Sequence, residues 1–264
     1  MRRFMMSVAL MLAVAPALAA MQAKPVEWKV GKATFSGVLV YDDATAGKRP
    51  GLVMVPNWMG VTPSAVEKAR QVAGKHYVVL VADLYGKGRR PKDAGEAGAF
   101  AKGLRDDRAK LRARMDKSVA VLKAQAGRAP LDASRIAALG FCLGGTAALE
   151  LARGGSDVAA VISLHGGLST PLPAKAGAVR TAVLVLNGAD DRGVSTADIA
   201  AFGKEMDAGG ADWQFVNFSG AVHCFAEADA NSPPNCLYNE RAAKRAFGMM
   251  HDFLRERFAT RQAR

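Results

Sequence analysis

The stretch IAALGFCLGGTAALELA, residues 136–152, constrains the fold more than any other part of the chain. An apolar run stops at Gly140, a cysteine follows two residues later, and Gly144 and Gly145 precede a run rich in alanine and leucine. A strand that turns into a helix through one residue brings two backbone segments close together, so small residues must flank the turn. The pattern predicts a strand, a sharp corner with Cys142 at its apex, and a helix.

Strands and helices alternate along the rest of the chain. A hairpin is predicted over residues 26–43, and buried strands are predicted to begin near residues 49, 77, 135, 158, 181 and 213. Helices are predicted over residues 63–75, up to about 126, over 146–153, from 196, and over 237–258. This alternation indicates the α/β class, a mostly parallel sheet with helices on both faces, in which ligands bind at the carboxyl ends of the strands. We expect one domain over residues 21–264.

The first twenty residues have the pattern of a secretory signal peptide. Arg2 and Arg3 precede an apolar core that is too short to span a bilayer, and the small residues Ala17 to Ala20 follow. The pattern predicts a mature protein that is periplasmic or secreted and free of the membrane. The alternative is an N-terminal anchor that is retained.

The charge of the chain is strongly basic, with a formal net charge of +12. Its lysines and arginines alternate with acidic neighbours, which is typical of solvated helix faces rather than of a nucleic-acid surface. The basic charge leaves anionic small molecules open as substrates. We expect the protein to be a monomer. The sequence has no metal-ligand spacing, and we expect no cofactor.

The chain has three cysteines, an odd number, which leaves a lone thiol or a partner outside the chain. Cys224 and Cys236 flank the loop-like stretch CFAEADANSPPNC, and an oxidising compartment would favour a disulfide between them. Cys142 would then be the unpaired thiol.

Reactive or unusual groups follow four of the predicted strands, at the edge where their carboxyl ends would meet: residues 57–60, Cys142, Asp190 with Asp191, and His223. In chain order the candidates are a nucleophile, Cys142, an acid, Asp190 or Asp191, and a histidine, His223. This is the order of the nucleophile, acid and histidine in α/β-hydrolase triads. His165 follows another strand, and it either competes with His223, lines the pocket, or is a structural histidine with satisfied hydrogen bonds. The backbone N–H groups of Leu143 and Trp58 are the candidate oxyanion donors.

These motifs together resemble the dienelactone hydrolase family, over nearly the whole mature chain. The matching stretches are NWMGV, ADLYGKG, GFCLGG, GADDRGV, GAVHCF and YNERAAKRAFGMMHDFL. The resemblance implies an α/β-hydrolase fold with a cysteine nucleophile, and its G-x-x-D-x-x-V pattern assigns the triad acid to Asp191. The resemblance implies that Asn57, Tyr85, Lys87 and Arg89 bind the substrate. His165, from its place after a strand, is a further candidate for the pocket.

The chain departs from the dienelactone-cleaving members of that family at two places. Asn57 stands where they carry a glutamate, and Glu227 stands where they carry an arginine that binds the substrate carboxylate. The resemblance therefore supports hydrolase chemistry more strongly than it supports a dienelactone substrate. The basic segment after Tyr85 could cover the pocket, with Phe100 and Leu104 as its apolar contacts.

The interpretation we favour is a cysteine-dependent hydrolase that cleaves an ester or lactone through a thioester intermediate. A non-catalytic protein that binds small molecules on the same fold is one alternative. A thiol redox protein is another, although the elbow cysteine lacks the nearby second cysteine of a C-x-x-C motif.

Overall fold

A computed structural model describes residues 21–262, so the predicted signal peptide lies outside the described residues. Its main sheet has eight strands in the order β1-β2-β4-β3-β5-β6-β7-β8. The strands are β1 (Met21–Val30), β2 (Ala33–Asp42), β3 (Arg49–Val55), β4 (Val78–Val81), β5 (Leu131–Phe141), β6 (Ala160–Leu164), β7 (Ala182–Gly188) and β8 (Trp213–Phe218). From β4 to β8 neighbouring strands are parallel, and the β1–β2 hairpin joins β4 in antiparallel pairing.

Six helices and one small hairpin complete the described chain. The helices are α1 (Pro63–Ala73), α2 (Ala94–Asp106), α3 (Arg108–Lys123), α4 (Leu143–Arg153), α5 (Thr196–Gly209) and α6 (Glu240–Gln262). The hairpin pairs β9 (Asn231–Ser232) with β10 (Cys236–Leu237). No helix in residues 21–262 is both long enough and apolar enough to cross a membrane.

The two faces of the sheet carry separate apolar cores, because side chains alternate across each strand. Along β3, Val53 packs in one core, while Leu52 and Met54 pack in the other. Strands that are buried on both faces read as continuous apolar runs, which is why the sequence revealed them. The predicted fold class is confirmed.

Two boundaries at the corner differ from the sequence-based prediction. β5 begins at Leu131 rather than near Arg135, and α4 begins at Leu143 rather than at Thr146. Gly144 and Gly145 have low intrinsic helix propensity, so the pattern placed the helix start after them. Tertiary packing outweighs the low helix propensity of these two glycines. The helix therefore begins directly after Cys142, and the corner is tighter than predicted.

A buried charge cluster anchors α4 to α3. Glu150 on α4 is fully buried and accepts hydrogen bonds from Arg112 at 2.8 Å and from Arg153 at 3.2 Å. Arg108 lies 3.9 Å from the same carboxylate. A buried carboxylate needs such partners because an unpaired buried charge is strongly destabilising. The cluster holds the helix that follows the cysteine corner.

Candidate active site

Cys142 lies between β5 and α4 with φ 54° and ψ −116°, a backbone conformation that residues with a side chain seldom adopt. The glycines around it permit close backbone approach. A Cβ atom on Gly144 would overlap the carbonyl oxygen of Val55, and one on Gly140 would overlap that of Gly144. The corner therefore requires glycine at these positions and holds the thiol clear of the sheet.

Helix α4 begins at the residue after Cys142, so its N-terminus lies beside the thiol. The N–H groups of the first helical turn have no partner within the helix and carry a partial positive charge. Leu143 is the first of these residues. Such an environment provides a donor for an oxyanion.

His223 lies in the loop after β8, and its Nδ1 is 2.7 Å from Asp191 Oδ2. The second carboxylate oxygen of Asp191 accepts from the N–H of Gly193 at 2.8 Å, which fixes the orientation of the carboxylate. Asp191 is buried, whereas Asp190 is exposed. Asp191, and not its neighbour, is the acid that contacts the histidine.

Burial acts to lower the pKa of His223, but hydrogen bonds to Asp191 and to Cys142 outweigh it and raise the pKa to about 10. The charges of the same two residues act in the same direction. The imidazole is therefore protonated at neutral pH, with an acid on one side and a thiol on the other. This arrangement can transfer a proton between sulfur and a bound substrate.

The loop after β3 forms one wall of the site. Met59 N–H donates to Asn57 Oδ1 at 3.0 Å, and the Tyr85 hydroxyl donates to the Trp58 carbonyl at 2.8 Å. Both bonds fix the backbone around Trp58, the predicted second oxyanion donor. The Trp58 side chain is 38% exposed and lines the mouth of the cleft.

A cleft of about 860 Å³ opens above the cysteine. Its lining includes Asn57, Trp58, Cys142, Asp191 and His223, which come from separate segments of the chain. Two cationic residues that the sequence did not reveal, Arg105 and Arg192, also line it. Arg192 adjoins Asp191 in sequence, which is a signal that could have identified it.

Four of the predicted substrate-binding residues lie elsewhere. Lys87 pairs with Glu27 at 2.8 Å, and the Arg89 guanidinium lies 4.7 Å from the centre of the Phe100 ring. Tyr85 is buried beneath the Trp58 loop, and burial raises the pKa of its hydroxyl. His165 is completely buried. None of these four is among the described residues that line the cleft.

The segment predicted to cover the pocket contributes less than expected. Phe100 packs against Tyr85 with ring centres 5.1 Å apart. Leu104 is buried in the same apolar core as Val53. Arg105, the next residue on α2, is the part of this segment that lines the cleft.

Cys224 and Cys236 form a disulfide, and the remaining cysteine, Cys142, is a free thiol. The disulfide closes the loop that follows His223. Leu237 N–H donates to the His223 carbonyl at 3.1 Å, so the same hairpin also holds the backbone of the histidine.

A strand-turn-helix elbow with its nucleophile, followed by an acid and a histidine after later strands of one parallel sheet, defines an α/β-hydrolase. The model of the dienelactone hydrolase family matches residues 35–258. The chain belongs to the dienelactone hydrolase family and is a hydrolase of the ester and lactone class.

Two solved structures of similar sequence agree with the family assignment. The chain is 37% identical to a structure named m3DLH and 34% identical to a dienelactone hydrolase-like promiscuous phosphotriesterase from metagenomic libraries. Each comparison has a TM-score of 0.84 and covers 90% of this chain and 98% of the other. An uncharacterized protein of Caenorhabditis elegans is 32% identical over 159 residues, which are 58% of this chain and 98% of that protein.

The similarity in fold extends further than the similarity in sequence. Thermogutta terrifontis esterase 2 aligns with a TM-score of 0.60 at 18% identity, over 90% of this chain and 94% of the esterase. At that identity the comparison supports the fold alone.

Proposed function

We propose that the protein is an exported cysteine hydrolase that cleaves a carboxylic ester or lactone through a thioester on Cys142. His223 acts as the acid and base, and Asp191 orients it. The observation that carries the proposal is the 2.7 Å contact between His223 and Asp191, in a cleft that also holds the strained Cys142.

In the first half of the reaction the Cys142 thiolate attacks the substrate carbonyl carbon. The N–H groups of Leu143 and Trp58 stabilise the resulting oxyanion. The carbon–oxygen bond then breaks, and the His223 imidazolium gives its proton to the leaving alkoxide. The products are a thioester on Cys142, a neutral imidazole and an alcohol, which stays attached to the acyl group when the substrate is a lactone.

In the second half His223 takes a proton from water as the oxygen of that water attacks the thioester carbonyl. The second oxyanion collapses, the carbon–sulfur bond breaks, and the carboxylic acid leaves. Thiolate and imidazolium are thereby restored. Asp191 stabilises the imidazolium throughout and does not itself take the proton.

Export is part of the proposal and is supported by two features. The first twenty residues have the pattern of a cleaved signal peptide. The Cys224–Cys236 disulfide suits an oxidising compartment, where such bonds persist.

The first prediction concerns turnover of a small aryl ester by the purified mature chain. Cys142→Ala and His223→Ala should each reduce kcat by about a thousandfold or more, because members of a triad act as a unit. His76→Ala serves as the control, since His76 is exposed and lies outside the cleft. Circular dichroism should show that all three variants are folded.

Mass spectrometry during turnover should detect the acyl group on Cys142. Turnover that is unchanged in both triad variants would contradict the proposal and favour a binding protein. Reduction of a disulfide substrate by the protein, without ester turnover, would favour the redox alternative.

A further inference from the structure

A buried polar cluster of Asn57, Lys68, His165 and Glu227 lies behind the cysteine corner. The Asn57 amide and the Lys68 ammonium both donate to Glu227 Oε2, each at 2.6 Å. Glu227 Oε1 lies 3.9 Å from His165 Nε2, and the two side chains are 3% and 0% exposed. Among the described residues neither of these two atoms has a hydrogen-bond partner.

His165 connects this cluster to the nucleophile. The Cys142 N–H is shared between the Leu164 carbonyl at 3.0 Å and His165 Nδ1 at 3.1 Å. Burial, together with the charges of His223 and Lys68, holds the pKa of His165 well below its usual value. The ring is therefore neutral. Since Nδ1 accepts a hydrogen bond, the ring proton is on Nε2 and faces Glu227.

Glu227 thus faces donors on both sides. Met59 N–H donates to Asn57 Oδ1, so the Asn57 amide group must point its hydrogens at Glu227. On the other side, His165 Nε2 lies 3.9 Å from Glu227 Oε1, a distance at which the carboxylate acts on the ring through its charge rather than through a direct hydrogen bond. A carboxylate offers an acceptor to both neighbours, whereas a glutamine would offer its NH₂ group to one of them.

The geometry points to Glu227 as a positioning residue that keeps His165 in its Nε2–H tautomer and so holds the backbone of Cys142. This inference rests on the proposed function, because it assigns Glu227 a part in the same reaction. Asn57 belongs to the same arrangement, since its fixed amide requires an acceptor at position 227. Lys68 balances the charge of the buried carboxylate.

The test substitutes Glu227→Gln in the full chain labelled with ¹⁵N-histidine. Ring ¹⁵N shifts report the tautomer, and single substitutions of His76, His223 and His251 assign the four histidine signals. The wild type should show Nε2–H at His165, whereas the variant should shift the population toward Nδ1–H. We expect kcat to fall about tenfold, because an NH₂ group facing the Nε2 hydrogen of His165 disfavours the ring state that accepts from the Cys142 N–H.

Two further variants separate this effect from loss of a charge pair. The double variant Lys68→Met/Glu227→Gln removes both charges, and it should keep the altered tautomer and the low kcat. Recovery of kcat in the double variant would overturn the inference, because the loss would then come from the unpaired lysine. Glu205→Gln is the matched control, since Glu205 pairs with buried Arg153 at 2.8 Å and lies outside the cluster. It should leave the His165 signals unchanged.

The tautomer measurement needs no turnover, so it remains decisive if the proposed hydrolysis fails. If the variants fold poorly, the wild-type spectrum still tests the tautomer on which the inference rests. Nδ1–H or a charged ring at His165 in the wild type at pH 7 would overturn the inference. An unaltered tautomer in Glu227→Gln would overturn it too, and would leave the triad proposal intact.

Discussion

At the residue scale, the thiol of Cys142 depends on a costly backbone conformation. Its φ of 54° and ψ of −116° lie in a region that costs on the order of 1–3 kcal/mol for a residue with a side chain. The surrounding structure maintains it through the close packing of Gly144 against Val55 and through the hydrogen bonds of the Cys142 N–H. The result is a sulfur that faces the cleft and not the core.

The charge of the His223 imidazole depends on Asp191. Since hydrogen bonding to Asp191 helps to raise the pKa of His223 to about 10, Asp191→Asn should lower that pKa. In NMR titration the wild-type ring should stay protonated from pH 7 to 9, whereas the variant ring should lose its proton at lower pH. Because kcat/KM reports groups of the free enzyme, its alkaline limb should move in the same direction.

Asp190→Asn is the matched control, since it makes the same chemical change one residue away at an exposed carboxylate. It should leave the titration unchanged, and equal shifts in both variants would contradict the assignment of Asp191. The raised pKa also has a consequence for stability. The contribution of His223 is fully present below its ordinary pKa of 6.5 and is lost as pH rises through about 10.

At the scale of elements, the β9–β10 hairpin supports the backbone of His223. It is joined to the residue after His223 by the Cys224–Cys236 disulfide, and to the His223 carbonyl by the Leu237 N–H. The two cysteines are separated by 12 positions, and closing a loop of this size stabilises a protein by about 3 kcal/mol. The disulfide therefore stabilises this region and restrains the backbone that carries the His223 imidazole.

Removing the disulfide should affect both properties. In Cys224→Ser/Cys236→Ser the free energy of unfolding in urea should fall by about 3 kcal/mol. Misplacement of His223 should reduce kcat by about tenfold or more. Dithiothreitol should lower the wild type to the level of the double variant and should leave the variant unchanged. A variant with wild-type kcat would show that the hairpin does not position the histidine.

Local pattern predicted the elements better than their contacts. The buried strands and the corner at Cys142 follow from periodicity and from glycine spacing, which are properties of neighbouring residues. The Lys68–Glu227 pair joins positions 159 apart, and the approach of Arg105 to the cleft depends on how α2 packs. No local pattern encodes such contacts. His165 was a pocket candidate because it follows a strand, whereas its ring is fully buried and packs against Phe141 and Phe225.

At the scale of the whole molecule, the charge distribution should influence which substrates reach the cleft. The chain has a formal net charge of +12, and Arg105 and Arg192 line the opening. Nearer the cysteine, the negative charge of Glu227 is balanced by Lys68 at 2.6 Å. We therefore expect an anionic substrate to be attracted to the cleft from a distance.

This attraction predicts a dependence on salt that separates substrates by charge. Raising the ionic strength from about 0.01 M to about 0.15 M shortens the screening length from about 30 Å to about 8 Å. For an aryl ester that carries a carboxylate, kcat/KM should fall by about threefold or more, because screening slows its steered association. A neutral ester of the same size should be nearly unaffected. Arg105→Gln/Arg192→Gln should reduce the salt effect on the anionic ester and leave the neutral one unchanged, whereas equal salt effects on both esters would show that the basic charge plays no part in substrate capture.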